Sequence, residues 1–171
     1  MNSLNNAAAN DFKTKSVRER IREEIETIVK ENDIDRKRFY EYSKFAYSDV
    51  LKRFYYSFAD YEAYPYDPRN GLYYCWLHFR KELKITASIR CFNFEWSANL
   101  QKLKHLMPDV KDKKLYLILS ENWVYEGYID EIISVLNETD MLLEDFYIVS
   151  PKYDWFVSYC DDGDCAVIYR K

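Results

Sequence analysis

Apolar side chains recur every three or four residues over 17–29, a spacing typical of an amphipathic helix. Ser16 and Glu19 stand at the start of this segment in the order of a capping box, in which each side chain bonds the backbone amide of the other. Residues 1–13 are small and polar without periodicity. We therefore predict a disordered arm over 1–13 and a single domain over 14–171.

The helical spacing resumes over 35–59 and predicts a second, longer helix. Two prolines and an Asn-Gly pair in 64–71 indicate a loop. The apolar positions of 72–83 fit either a helical face or a buried strand, and the helix is favoured. Over 84–91 apolar and polar residues alternate, which is typical of a half-buried strand.

Short apolar runs and turn signals alternate in the rest of the chain. Ser97 is in position to cap a short helix that ends before Pro108, and the segment 123–127 is predicted to be a loop leading into a helix over 129–136. Strands are predicted over 115–119, 146–149, 155–159 and 165–169, the last two joined by an Asp-Gly hairpin. Helices followed by a mostly antiparallel sheet with a C-terminal β-hairpin predict an α+β fold.

Composition narrows the classes of function. The net charge of −4 disfavours nucleic acid and anionic membranes as partners. With only three glycines, the chain cannot assemble a phosphate loop or a dinucleotide-binding loop. The first ten residues lack the basic and apolar regions of a signal peptide, and no apolar run reaches the ~20 residues that span a bilayer. We therefore expect a cytoplasmic protein whose four cysteines stay reduced.

The histidines and carboxylates of the sequence do not form a complete set of catalytic residues. His78 lies among apolar neighbours and His105 beside a lysine, and neither accompanies a nucleophile motif. The carboxylates of 161–164 bracket a glycine, but the chain turns straight into a strand instead of continuing as a calcium loop. No catalytic residue, metal site or cofactor is predicted.

The C-terminal third carries a resemblance. The run Trp-Val-Tyr-Glu-Gly at 123–127 and the run Tyr-Ile-Val-Ser at 147–150, which Lys-Tyr-Asp-Trp follows at 152–155, are similar to an uncharacterised family of small bacterial cytoplasmic domains. The resemblance implies a stand-alone soluble domain without an established activity. Similar sequences carry a histidine after the tryptophan strand. This chain has none at 158–162, so no histidine role transfers.

Aromatic residues form the strongest functional signal, because they make up 18% of the chain and crowd 39–66. Adjacent helical residues such as Tyr55 and Tyr56 point about 100° apart, so a single buried face cannot hide all the rings. An aromatic-rich core with a solvated basic face explains the same stretch and is favoured as its structural explanation. As the function, we predict a non-enzymatic protein-binding module, since tyrosine and arginine dominate binding hot spots. Its most concrete form is an immunity-type protein that neutralises a toxin. Lysines and arginines between the rings leave single-stranded nucleic-acid binding as an alternative.

A second alternative is an enzyme in which Glu126 and Asp154 act as paired carboxylates beside an aromatic substrate platform. Ordinary core packing and turn chemistry explain the same cluster of residues and are favoured over this hypothesis. The predicted binding residues are Tyr55, Tyr56, Trp123, Tyr125, Glu126, Tyr153 and Trp155.

Overall fold

The computed structural model describes residues 17–90, 95–119, 121–139, 142–160 and 162–171. The predicted arm over 1–13 and the capping residue Ser16 lie outside them. Within the described residues, four α-helices accompany a seven-stranded antiparallel sheet that ends in a C-terminal hairpin, which confirms the α+β prediction. The helices are α1 (Val17–Glu31), α2 (Tyr47–Phe58), α3 (Trp96–Leu106) and α4 (Ile129–Asn137).

The sheet has the strand order β1-β4-β3-β5-β6-β7-β2, and every neighbouring pair is antiparallel. Its central strands are almost wholly buried because helices or loops cover both faces. The strands are β1 (Phe39–Glu41), β2 (Lys84–Arg90), β3 (Leu115–Leu119), β4 (Val124–Gly127), β5 (Asp145–Val149), β6 (Trp155–Cys160) and β7 (Asp164–Tyr169).

Neighbouring residues of β5 show which helix covers which face. The ring of Phe54 in α2 packs 4.9 Å from Tyr147, between ring centroids. The ring of Trp96 in α3 packs 6.4 Å from Phe146 and donates a 2.7 Å hydrogen bond to a carbonyl of α4. Because successive strand residues point to opposite faces, α2 lies on one side of the sheet and α3 with α4 on the other.

The predicted long helix over 35–59 is wrong in its first half. Residues 39–41 form β1 at the edge of the sheet, and a short 3-10 helix, Lys44–Ala46, precedes α2. The Phe39 ring stacks on Tyr125 at a centroid distance of 5.1 Å, and strand pairing with β4 satisfies the backbone. This burial and cross-strand pairing outweigh the helical spacing of the local sequence.

Tertiary context also corrects several smaller expectations. The predicted loop over 123–127 is β4, which pairs with β1 and β3. The segment 72–83 is neither a long helix nor a strand, since it holds a 3-10 turn, Cys75–His78, and a single β-bridge between Phe79 and Ala59. The strand predicted over 84–91 exists over its described residues, but it is an irregular edge strand in which Ile85 is 63% exposed. Helix α3 begins at Trp96, so Ser97 lies inside its first turn.

Candidate functional site

Two adjacent tyrosines of α2, both predicted from the sequence to bind a partner, differ in their exposure to solvent. Tyr55 is 4% exposed, and its hydroxyl donates a 2.7 Å hydrogen bond to the carbonyl of Tyr64. Tyr56 is 49% exposed. The angular step of about 100° per helical residue places one ring under the following segment and the other at the surface. Tyr55 therefore supports the segment, while Tyr56 is accessible to a partner.

The chain after α2 adds further exposed rings beside Tyr56. Tyr61 lies 5.2 Å from Tyr56 between ring centroids and is 38% exposed. Tyr64 is 47% exposed and stacks on His78 at 4.2 Å with an interplanar angle of 7°. The Arg80 guanidinium lies 5.0 Å from the Tyr61 ring centre and donates to the Tyr56 carbonyl. We call the rings of Tyr56, Tyr61 and Tyr64 the tyrosine surface.

Backbone contacts hold the segment that carries the tyrosine surface. The amide of Asp60 donates to the carbonyl of His78 at 2.7 Å, and the amide of Arg80 donates to the carbonyl of Phe58 at 2.9 Å. These two bonds join the segment after α2 to the chain that follows the 3-10 turn. The rings are therefore presented from a hydrogen-bonded framework instead of a free loop.

Asn122, in the turn between β3 and β4, anchors the other end of this segment. Its Oδ1 accepts a 2.8 Å hydrogen bond from the amide of Leu72, and its Nδ2 donates to the carbonyl of Asn70 at 3.3 Å. Asn122 has a φ of 66°, a left-handed conformation that asparagine tolerates better than most residues. Gly71 has a φ of 59°, and a Cβ there would overlap the Asn122 side chain. Local geometry at both residues therefore fixes the segment on the sheet.

A groove of about 690 Å³ opens between α2, the turn from β5 to β6, and the chain after β7. We call it the basic groove, because its lining holds four cationic side chains and one carboxylate. Tyr56 belongs both to this lining and to the tyrosine surface. The lining residues are Asp49, Lys52, Arg53, Tyr56, Ser57, Lys152, Tyr153 and Arg170.

Tyr153 has an unusual position in the wall of the basic groove. It is 3% exposed and has a φ of 54°, which the turn between β5 and β6 imposes. The Arg53 guanidinium lies 4.8 Å from its ring centre, a cation–π contact. Burial raises the pKa of Tyr153 to about 12, while the charge of Arg53 acts in the opposite direction. The phenol is therefore neutral at physiological pH and serves as a support for Arg53.

The other predicted aromatic residues lie in the core. Trp123 contacts Tyr47 edge-on at 6.1 Å, Tyr125 is the stacking partner of Phe39, and Trp155 lies 6.5 Å from Tyr169. All three predicted residues are buried. Trp123 also has the cations of Arg22 and Lys44 at 5.4 and 5.5 Å from its ring centre. These contacts lie within the fold, and a binding role for the three residues stays a prediction.

The structure does not bring Glu126 and Asp154 together. Glu126 accepts a hydrogen bond from the Tyr40 hydroxyl, which in turn accepts one of 3.2 Å from Lys114. Asp154 is exposed just before β6, and β6 is three interstrand spacings from β4. At about 4.8 Å per spacing, β4 and β6 are about 14 Å apart. Sequence proximity to aromatic residues was therefore a poor guide to carboxylate pairing.

No pattern in the sequence indicates that two of the four cations belong to the basic groove. Lys152 and Arg170 are remote from the aromatic stretch over 39–66, and only the sheet order β5-β6-β7 places them opposite α2. Lys52 and Arg53 were visible as cations between aromatic residues. Strand pairing, which local periodicity does not encode, was needed to connect the two pairs.

The described residues contain no group of three histidine, cysteine or acidic side chains arranged to hold a metal ion. None of the helices described is long and apolar enough to cross a bilayer. No curated protein and no solved structure matches the chain. A family model matches residues 17–171, from the start of α1 to the C-terminus, so the uncharacterised family indicated by the C-terminal resemblance is confirmed. The chain belongs to a family of unknown function, DUF6756.

Proposed function

We propose that this chain is a non-enzymatic, cytoplasmic protein-binding module that docks a partner protein through the tyrosine surface. The observation that carries this proposal is the contact between the accessible rings of Tyr56 and Tyr61, with the exposed ring of Tyr64 three residues farther along the same segment. Scattered exposed aromatic residues are normal on soluble proteins, whereas contiguous ones mark interaction sites. Tyrosine adds a hydroxyl to a large apolar body, which suits a partly wet interface.

The support around the rings favours binding over incidental exposure. Tyr64 rests against His78, and Arg80 contacts both the ring of Tyr61 and the backbone of Tyr56. Ordering a free side chain on association costs about 0.5–1.5 kcal/mol. Rings that neighbouring groups already hold lose less entropy when a partner covers them.

The partner can be captured with a photo-crosslinking amino acid placed at position 56 or 61 in the native host. Lys37 is exposed and lies outside both the tyrosine surface and the basic groove, so the same amino acid placed there is the control. We expect one protein to crosslink from positions 56 and 61 and not from position 37. Identical products from all three positions would contradict the proposal.

The purified partner then allows the affinity to be measured. The double variant Tyr61→Ala, Tyr64→Ala should weaken binding about 30-fold, the value for the loss of about 2 kcal/mol at a hot spot. Phe45→Ala is the matched control, because Phe45 is a fully exposed ring before α2 and outside the tyrosine surface. Equal losses in the two variants, or no loss in either, would refute docking at the tyrosine surface.

A toxin-neutralising immunity role is the most specific form of the proposal, since covering a toxin requires a docking surface and no chemistry. It predicts a gene for a secreted toxin directly upstream of the gene for this chain. Co-expression should then restore growth to cells that produce this toxin, and the tyrosine double variant should fail to do so. If the double variant restored growth equally, neutralisation of the toxin would not depend on the tyrosine surface.

A further inference from the structure

We propose that the basic groove binds an acidic stretch of the partner polypeptide that docks on the tyrosine surface. This inference rests on the proposed function and names the chemistry of the partner. The chain has a net charge of −4, yet four cations and a single carboxylate line this groove.

Among the described residues, the cations of the groove lack the ion pairs that several other cations make. Elsewhere, Arg22 pairs with Glu41 at 2.5 Å and Arg36 pairs with Glu26 at 2.8 Å. Across the described ranges, no ion pair involves Lys52, Arg53, Lys152 or Arg170. Like charges gathered in one concave site repel one another and attract an anionic ligand.

Arg53 is preorganised to receive a carboxylate. Its guanidinium lies over the ring of Tyr153, which is itself fixed by burial at the turn from β5 to β6. A guanidinium whose face lies on a ring keeps the N–H groups at its edge free. Two of these N–H groups can donate parallel hydrogen bonds to the two oxygens of a carboxylate. Lys152 and Arg170 lie on the opposite wall and can contact further acidic side chains of an extended segment.

Tyr56 makes the groove continuous with the tyrosine surface, because its ring belongs to both. One polypeptide can therefore place apolar side chains on the rings and carboxylates in the groove. This division matches the usual anatomy of interfaces, with an aromatic centre and a charged rim that sets orientation and the rate of association.

Single-stranded nucleic acid fits this groove less well. Such ligands stack successive bases on exposed rings, whereas the lining has two rings and Arg53 covers one of them. Asp49 also stands on the same wall as Lys52. The net charge of −4 also disfavours a polyanionic strand.

The test is fluorescence anisotropy of the full chain with a labelled peptide of alternating glutamate and glycine, at low ionic strength. The double variant Lys52→Glu, Lys152→Glu should weaken peptide binding at least about tenfold, because it reverses two of the four cations. Lys37→Glu, Lys111→Glu is the matched control, since it changes net charge equally outside the groove. The control should change the affinity by less than about twofold, and added salt should weaken binding by the unmodified chain.

Equal weakening in the groove and control variants would overturn the proposal, as would no peptide binding by the unmodified chain. Labelled oligothymidylate that binds in a groove-dependent manner while the peptide does not would assign the groove to nucleic acid instead. Failure of this inference differs from failure of the proposed function. If the peptide test fails but Tyr61→Ala, Tyr64→Ala still weakens partner binding, only the acidic-segment inference is wrong. If the peptide test succeeds and the tyrosine variant binds its partner normally, the groove still binds an acidic segment, and docking on the tyrosine surface is wrong.

Discussion

Asn122 offers the sharpest test of how the fold holds the tyrosine surface. Its side chain accepts from the amide of Leu72, a buried residue, and donates to the carbonyl of Asn70. Asn122 also occupies a left-handed backbone conformation. Three substitutions separate these contributions. Alanine removes both bonds and keeps a Cβ, glycine removes both bonds and suits the backbone, and aspartate keeps the acceptor.

The expected magnitudes follow from these contacts. A buried amide left without a partner costs about 1–3 kcal/mol, and an ordinary hydrogen bond contributes about 0.5–1.5 kcal/mol. A left-handed residue with a Cβ and no local hydrogen bond costs about 1 kcal/mol more than glycine. Asn122→Ala should therefore lower the free energy of unfolding by about 3–4 kcal/mol, Asn122→Gly by about 1 kcal/mol less, and Asn122→Asp by about 1 kcal/mol.

Urea unfolding followed by tryptophan fluorescence measures this series. For an m value of about 2 kcal/mol/M, a loss of 3 kcal/mol lowers the midpoint by about 1.5 M with the slope unchanged. A loss within about 0.5 kcal/mol of zero for Asn122→Ala would refute the anchoring argument, since that is the range of ordinary surface substitutions. Equal losses for Asn122→Ala and Asn122→Gly would refute the backbone contribution.

Three further predictions concern the rest of the fold. Gly127→Ala should destabilise the chain by at least about 1–3 kcal/mol in the same urea assay, because the new Cβ would lie 2.7 Å from a ring carbon and 2.9 Å from a carbonyl oxygen of the segment leading into β1. Burial acts against ionisation of Glu41, but hydrogen bonds from Arg22 and Tyr47 hold its pKa below the ordinary value. The lowered pKa contributes its whole stabilisation above a pH of about 4.3, the pKa of an unfolded glutamate, and loses it as the pH falls through the folded pKa. The free energy of unfolding of Glu41→Gln should therefore depend less on pH in this acidic range than that of the unmodified chain. Burial raises the pKa of the Cys75 thiol and keeps reagents from it. Mass spectrometry after brief alkylation should therefore find Cys75 unmodified in the native protein and modified in urea. Alkylation of Cys75 in the native protein would contradict its burial.

Local pattern determined much of the secondary structure. The helix over 17–29, the buried strand β3 and the C-terminal hairpin each have a periodicity or turn signal that neighbouring elements do not alter. The hairpin is the simplest case, since Gly163 adopts a φ of 80° that the Asp-Gly turn requires. The α+β class and the membership of an uncharacterised family also followed from sequence, because both depend on the order and identity of residues along the chain.

Only the tertiary structure decided which aromatic residues are accessible and which cations meet. Tyr55 and Tyr56 are adjacent residues of the same type, so the sequence does not distinguish them. The segment after α2 covers Tyr55 and leaves Tyr56 exposed. Residues 39–41 have helical spacing, yet pairing with β4 makes them a strand. Lys152 joins Lys52 across a groove that exists because sheet order brings distant segments together. Burial and strand pairing are properties of the whole packed chain, so a local window of sequence does not contain them.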